Sequence, residues 1–304
     1  RGYKDIIINK KFIYDLVFEK IAFKILEEEL KFVLFIHGGY VSERFINTLK
    51  KYGVNTAVWL LDDPHEIDFS KRYSCFYDCV FTVEKEAVEV HKTKAMDVFY
   101  LPLGYDEDVF SPKYAEEKYK SDICVLGSGF EERIKLLEKI YPYIKNRKLK
   151  LVGKWDNLSS KSHLLNHVVE GVVRPETASL YYSGARIVIN QHRDETGSLI
   201  GTNINEVKGF SPNPRLFECI ACGSFCIVDD KRKGVFDFFE KGLEIDSFES
   251  DLELVEKINF WLDNETLRKK RAETARLKNK TNSMTERIKE IEKLWIKKTS
   301  LITI

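Results

Sequence analysis

The stretch NPRLFECIACGSFCIVDD, residues 213–230, sets Asn213, Pro214, Arg215 and Glu218 at the mouth of a short segment that Gly223 closes. Asn is a good helix N-cap, Pro suits the first helical position and Gly the C-terminal turn, so the spacing predicts a short helix. SFCIV then reads as a buried strand. Arg215 and Glu218 are three residues apart and share a helix face. A helix N-terminus offers unpaired N–H groups and partial positive charge, and with Arg215 beside it becomes an anion site. Glu218, one turn deeper, can accept hydrogen bonds from a ribose diol. Phosphate plus ribose is a nucleotide. An ordinary surface Arg–Glu pair has the same spacing, and the segment taken alone leaves that reading open.

Two further segments carry related chemistry. GSGFEER, residues 127–133, is a glycine-rich turn opening a helix, where the backbone N–H groups of Gly127, Ser128 and Gly129 can approach a phosphate and Arg133 can add charge. LVGKW, residues 151–155, repeats the arrangement, so that Gly153 and Lys154 border a base or a phosphate; a plain turn accounts for either segment equally well. In the first third of the chain, His37 follows an apolar run, and Asp62, Asp63 and His65 follow another. Histidine or aspartate can take a proton from an acceptor hydroxyl. The DDPH segment also fits a turn in which Asp62 or Asp63 caps the chain. The six cysteines, Cys75, Cys79, Cys124, Cys219, Cys222 and Cys226, stand beside apolar or aromatic neighbours and read as reduced buried thiols. A zinc site from Cys219, Cys222 and Cys226 lacks a second Cys/His pair at suitable spacing.

The elements that must hold these residues alternate. Apolar runs at 32–36, 54–61, 79–83, 97–101, 122–127, 149–153 and 185–190 are separated by amphipathic stretches at 41–51, 128–140 and 175–184. That rhythm predicts βαβ units and parallel sheets. GLEID near 242–246 reads as a further strand, 251–279 as helices and 283–298 as a last amphipathic helix. Residues 103–120, with Pro102 and Pro112 and a charge run, read as a linker between two α/β domains. The polar residues just after each strand are where a ligand belongs. Residues 191–210 form a long polar connection, which would close over a ligand or stay unstructured. Lys+Arg 49 against Asp+Glu 48 gives a net charge of +1, which argues against a nucleic-acid partner. No apolar run is long enough to span a membrane.

Taken in order, VLGSGFEERIKLL, LVGKW, VVRPETASLYYSGARIVIN, NPRLFECIACGSFCIVDD and GLEIDSFESDLELVEKINFWLDNETLRKKRAETAR resemble the nucleotide-sugar-binding half of a GT-B glycosyltransferase. The nearest family is the CgeB-type spore-maturation glycosyltransferases, related to glycosyltransferase group 1. AVWLLDDPH and FYLPLGYDEDVFSP in the first half are similar to it too. The resemblance implies two Rossmann-like parallel-sheet domains facing across a cleft: residues 1–110 for the acceptor, 111–282 for the donor, and 283–304 as a helix crossing back to the first domain. The family pattern includes a strand and helix before residue 30, so the first domain is expected to be short or truncated at its start.

By the same resemblance Glu218 binds ribose, Arg215, Arg133 and residues 127–129 meet the diphosphate, and Asn213 and Asn190 lie near the sugar or phosphate. The implied activity is metal-independent transfer of a sugar from a nucleoside-diphosphate donor, UDP favoured, to a hydroxyl of a glycan, glycolipid or protein. No cofactor is implied. The expected location is cytoplasmic, and a lipid-linked acceptor would bring peripheral membrane contact. Two other readings stay open: an epimerase or hydrolase of nucleotide sugars on the same fold, and a coat-associated protein that binds a nucleotide sugar without turnover.

Overall fold

FVLFI becomes β1, Phe32–Ile36, the edge of a four-stranded parallel sheet with β2, Asn55–Leu60, β3, Cys79–Thr82, and β4, Asp97–Tyr100, in the order β1-β2-β3-β4. Four helices accompany it: α1, Lys10–Glu27, α2, Glu43–Lys51, α3, Ile67–Ser74, and α4, Val88–His91. This is a computed structural model, and it describes residues 10–92, 96–194 and 202–302. The chain divides into two units, one of residues 1–101 with 198–208 and one of 102–197 with 209–304.

Local chemistry explains the first unit's helices. Ser42 caps α2 by accepting from the Phe45 N–H, and Lys50 and Lys51 sit in its last turn, where cations suit the helix dipole. Its apolar face, Phe45, Ile46 and Leu49, is buried with Val58, Leu60 and Val80 of the sheet. The polar sequence of α3, IDFSKRYS, gave no apolar run to announce it. It is held by the burial of Ile67 and Tyr73 and by Ser70, whose hydroxyl donates to Asp63 at 2.8 Å.

The second unit is built on six parallel strands: β5, Ser121–Leu126, β6, Leu149–Val152, β7, Val168–Glu170, β8, Ala185–Asn190, β9, Phe225–Asp229, and β10, Asp246–Phe248. Their order is β10-β9-β8-β5-β6-β7. Helices α5, Glu131–Ile144, α6, Pro175–Gly184, α7, Pro214–Ala221, α8, Asp251–Asp263, α9, Glu265–Lys278, and α10, Met284–Ile302, complete it. Alternate residues of each strand feed two cores. Ile123, Val125, Ile187, Ile189, Phe225 and Ile227 pack with α5 and α8. Cys124, Val188, Cys226 and Val228 pack with α6 and α7. The chain leaves β5 in one direction and returns through β8 on its other side, so the strand order reverses between these two. A ligand site is expected outside their carboxyl ends.

Three sequence expectations change. Residues 103–120 are not a free linker: Tyr105 and Phe110 are buried in the second unit's core, and Tyr105 exchanges backbone hydrogen bonds with Asn282 and Met284 at 3.2 and 2.8 Å. Their aromatic area outweighs the surrounding charge run. The GLEID strand lies later, at Asp246–Phe248, because Gly242 takes φ 78° and closes a turn onto Ile245. Of the cysteines, Cys79, Cys124, Cys219, Cys222 and Cys226 are buried as expected, but Cys75 is exposed.

Candidate functional site

Gly127 follows β5 with φ 135°, and Gly153 follows β6 with φ 125°. A Cβ on Gly153 would lie 2.4 Å from the Gly127 carbonyl oxygen. A Cβ on Gly127 would lie 2.2 Å from Arg215 Nη1 and 3.0 Å from Arg133 Nη1. Both positions therefore require glycine, one for backbone approach and one to admit two guanidinium groups. Gly129 packs against the Trp155 ring, where a Cβ would stand 2.7 Å from Cε3.

Arg133 projects from the first turn of α5 and is only 3% exposed. Its Nη1 donates to the Ser128 carbonyl and its Nη2 to the Gln191 carbonyl at 2.7 Å. Arg215, from the first turn of α7, donates to the Leu126 carbonyl at 3.4 Å and to the same Gln191 carbonyl at 3.3 Å. Neither has a carboxylate within 4.0 Å among the described residues. Burial, and then the charge of Arg215, pulls the Arg133 guanidinium down to about 9. Two cations held side by side by neutral carbonyls, beside a glycine turn and at the strand-order reversal, make a strong attractor for an anion.

Glu218 lies one turn below Arg215 on α7. Burial pushes its carboxyl up to about 7, against the pull of Arg215, and Tyr182 donates to it at 3.4 Å. Asn213 caps α7 and pairs reciprocally with Asn190 at the end of β8, amide to amide, at 3.1 and 3.2 Å. The cap also uses up the helix end: Pro214 has no N–H, and the Leu216 N–H is taken by Asn213. Positive charge at this end thus comes more from the two arginines than from unpaired N–H groups. Lys154 points to the surface and meets Asp156 at 3.5 Å. Beside it, a cavity of about 610 Å³ is lined by Gly153, Lys154, Trp155, Leu158, Val168 and Val172, an aromatic and aliphatic surface suited to a flat ring.

Sequence reasoning missed two members of this set. His192 is buried; it accepts from the Asn213 N–H through Nε2 at 3.3 Å and faces Asp229 through Nδ1 at 3.2 Å. Burial pushes the imidazole pKa down, which suits a neutral ring that accepts at Nε2 and donates at Nδ1. Asp229 at the end of β9 thereby orients His192, which in turn holds the mouth of α7. The histidine stands in the polar connection after β8 and carries no sequence signal of its own. Of that connection, residues 195–201 lie outside the described residues. Asp68 of α3 ties down Thr202 and Ile204 by hydrogen bonds of 3.2 and 2.8 Å.

The first unit separates its four candidates. Asp63 is buried and its oxygens are taken by Ser70, Thr82 and His91 at 2.8, 2.8 and 2.9 Å. That network corrects the expectation of a base at this position: Asp63 is a structural carboxylate. His65 is half-buried after the cis Asp63–Pro64 bond. His37, with φ 67°, and Asp62 do come together, and Glu66, missed in the sequence, joins them. His37 Nε2 lies 3.7 Å from Asp62 and 3.5 Å from Glu66. Ligand atoms of the three fall within 4.8 Å of one another, close enough to share a proton or a cation. Cys219, Cys222 and Cys226 are packed together in the apolar core.

Comparison with known proteins places the chain in a family and a fold. Residues 132–293, just over half of the chain, match the family model described as glycosyl transferase-like. Spore protein CgeB of Bacillus subtilis (strain 168) is 29% identical over 205 residues, which cover 65% of this chain and 63% of that protein. The chain thus spans less than two thirds of that relative. Sucrose-phosphate synthase from Thermosynechococcus elongatus superposes with a TM-score of 0.62 at 11% identity, over 99% of this chain and 82% of the other. A glycosyltransferase from Rickettsia africae gives 0.62 at 14% identity, covering 97% and 83%. Anabaena HepE in complex with UDP-glucose gives 0.57 at 11% identity, covering 92% and 82%. The chain belongs to the glycosyl transferase-like family, is related to CgeB, and has the GT-B fold of two parallel-sheet α/β domains.

Proposed function

We propose that this protein transfers a sugar from a nucleoside-diphosphate sugar, with UDP as the favoured nucleotide, to a hydroxyl acceptor. The observation that carries the reading is the pair of guanidiniums, Arg133 and Arg215, lacking any carboxylate partner among the described residues and set over Gly127 where the strand order reverses. In this reading the diphosphate lies against Arg133, Arg215 and the 127–129 turn. The base enters the cavity beside Trp155, and Glu218 accepts from the ribose hydroxyls. As the glycosidic bond breaks, negative charge grows on the β-phosphate, and the two fixed cations stabilise it more than they stabilise the ground state. Arg133 and Arg215 would therefore do what a bound metal does elsewhere, and chelation with EDTA should leave turnover unchanged. In the first unit, the His37, Asp62 and Glu66 group is assigned to taking the acceptor proton. HepE, solved with UDP-glucose, supports the donor class by fold likeness.

A thermal-shift panel of UDP, GDP, dTDP and ADP on wild type and Glu218→Ala tests the reading. Ligand binding to the native state raises the melting temperature by mass action. UDP should stabilise the wild type, and the variant should lose most of the shift. No shift with any of the four on a folded sample would contradict it. Consumption of UDP-sugar at full rate with no acceptor would instead favour a hydrolase or epimerase.

A further inference from the structure

At the amino ends of β5, β8 and β9, opposite the glycine turns, the second unit holds a second cavity of about 470 Å³. Five cationic side chains line it, Lys113, Lys120, Arg186, Arg268 and Lys269, against one carboxylate, Glu265. In a chain of net charge +1 this is a marked local concentration.

Three of the five have carboxylate partners. Lys120 meets Glu117 at 3.3 Å, Arg186 meets Asp122 at 3.1 Å and Lys269 meets Glu265 at 2.6 Å. These pairs are largely exposed, and such pairs exchange partners at little cost. Arg268 differs. It is 3% exposed, and its Nη1 donates to the Trp261 and Leu262 carbonyls at the end of α8, at 2.6 and 3.5 Å. No carboxylate stands within ion-pair distance of it among the described residues, and its Nε and Nη2 hydrogen-bond to none of them. Lys113 likewise has no carboxylate partner among them. A buried guanidinium that has given up water without gaining a counter-ion is costly, and an anion in the cavity repays that cost. Burial is the largest influence and pulls the Arg268 guanidinium downward; Arg186 adds to that pull, while Glu265 and Asp122 oppose it. Glu265 and Arg268 at the start of α9 line the cavity, and the helix's N-cap, Asn264, makes no side-chain capping bond. The carboxyl ends of α6 and α7 border the cavity and offset only part of the positive charge.

We infer that this cavity is a second anion site, distinct from the arginine pair of the first, and that it takes a phosphate group through Arg268, Lys113 and Arg186. The phosphate belongs either to a soluble phosphate ester or to a lipid headgroup, and both sources present the same dianion. Binding here does not depend on the nucleotide reading.

Inorganic pyrophosphate, titrated calorimetrically at matched ionic strength, tests it. The parent is Arg215→Ala, which weakens the first site. In that background Lys113→Glu with Arg186→Glu, two surface changes compatible with folding, should weaken pyrophosphate at least tenfold. Arg268→Gln should do the same wherever its melting curve shows a folded protein. A second arm sediments the same proteins with phosphatidylcholine vesicles with and without phosphatidic acid. Vesicle binding that requires phosphatidic acid and is lost in the double variant identifies a lipid source, whereas pyrophosphate binding alone identifies a soluble ester. The inference is overturned if the Arg215→Ala parent binds neither probe, or if the double variant binds as the parent does.

Discussion

At the scale of single residues, the site is built from groups whose charge is held at a cost. Arg215→Ala removes one of two cations from the first anion site. Hydrogen bonds to charged groups contribute about 1.5–3 kcal/mol, so UDP affinity should fall by roughly 10- to 100-fold in a calorimetric titration. Glu218 gives a pH signature. Its folded pKa, about 7, lies above the ordinary carboxylate value of 4.5, so the native state holds its proton more tightly than the unfolded chain does. Stability is therefore retained below pH 4.5 and lost as pH rises from there to about 7, by up to about 3 kcal/mol from this group. In Glu218→Gln that component of the slope should vanish from melting curves recorded between those limits. A slope unchanged in the variant would show that the carboxyl is not the group responsible. Arg215 and Glu218 were legible because their spacing on a capped helix is itself chemical information. Glu66 and His192 were not, because only the folded chain brings them to His37 and Asn213.

Among the elements, those with strong terminal signals matched their sequence reading closely. Asn213 and Pro214 open α7 where a cap and a first-turn proline belong, and β1 and β8 coincide with their apolar runs. The helix α3 escaped because its sequence is mostly polar and what fixes it, the burial of Ile67 and Tyr73 and the bond from Ser70 to Asp63, is tertiary. That bond, together with those to Thr82 and His91, turned Asp63 from a candidate base into a structural carboxylate, which no local pattern could reveal. Asn213→Ala removes the cap of α7 and half of the amide pair with Asn190. A lost cap costs about 1 kcal/mol, so a melting temperature lower by roughly 2–4 °C is expected, along with weaker UDP binding. Gly153→Ala is the more severe change, because its Cβ would meet the Gly127 carbonyl oxygen at 2.4 Å. A positive φ adds to the penalty, and a loss of about 1–3 kcal/mol with UDP binding abolished is the expected outcome in a melting and titration series.

For the molecule as a whole, the proposed function divides the labour between the two parallel-sheet units: in that reading the nucleotide contacts come from the second unit and the proton-accepting group from the first. The strand alternation made this two-domain α/β plan readable from sequence, while the attachment of residues 102–120 to the second unit depended on where Tyr105 and Phe110 found burial. Combined Asp62→Asn and Glu66→Gln substitutions should leave UDP affinity within about twofold of wild type. They should lower turnover by roughly 10²-fold or more, the usual contribution of a positioned base. A parallel fall in UDP affinity would refute the division.

The central claim is that Arg133 and Arg215 hold a nucleoside diphosphate at the carboxyl ends of β5 and β8. Isothermal titration of UDP into wild type and Arg215→Ala, both shown folded by their melting curves, tests it most directly. The account predicts saturable one-site binding to wild type and a 10- to 100-fold weaker constant in the variant. Equal affinity in the two proteins, or no UDP binding to wild type, would contradict it.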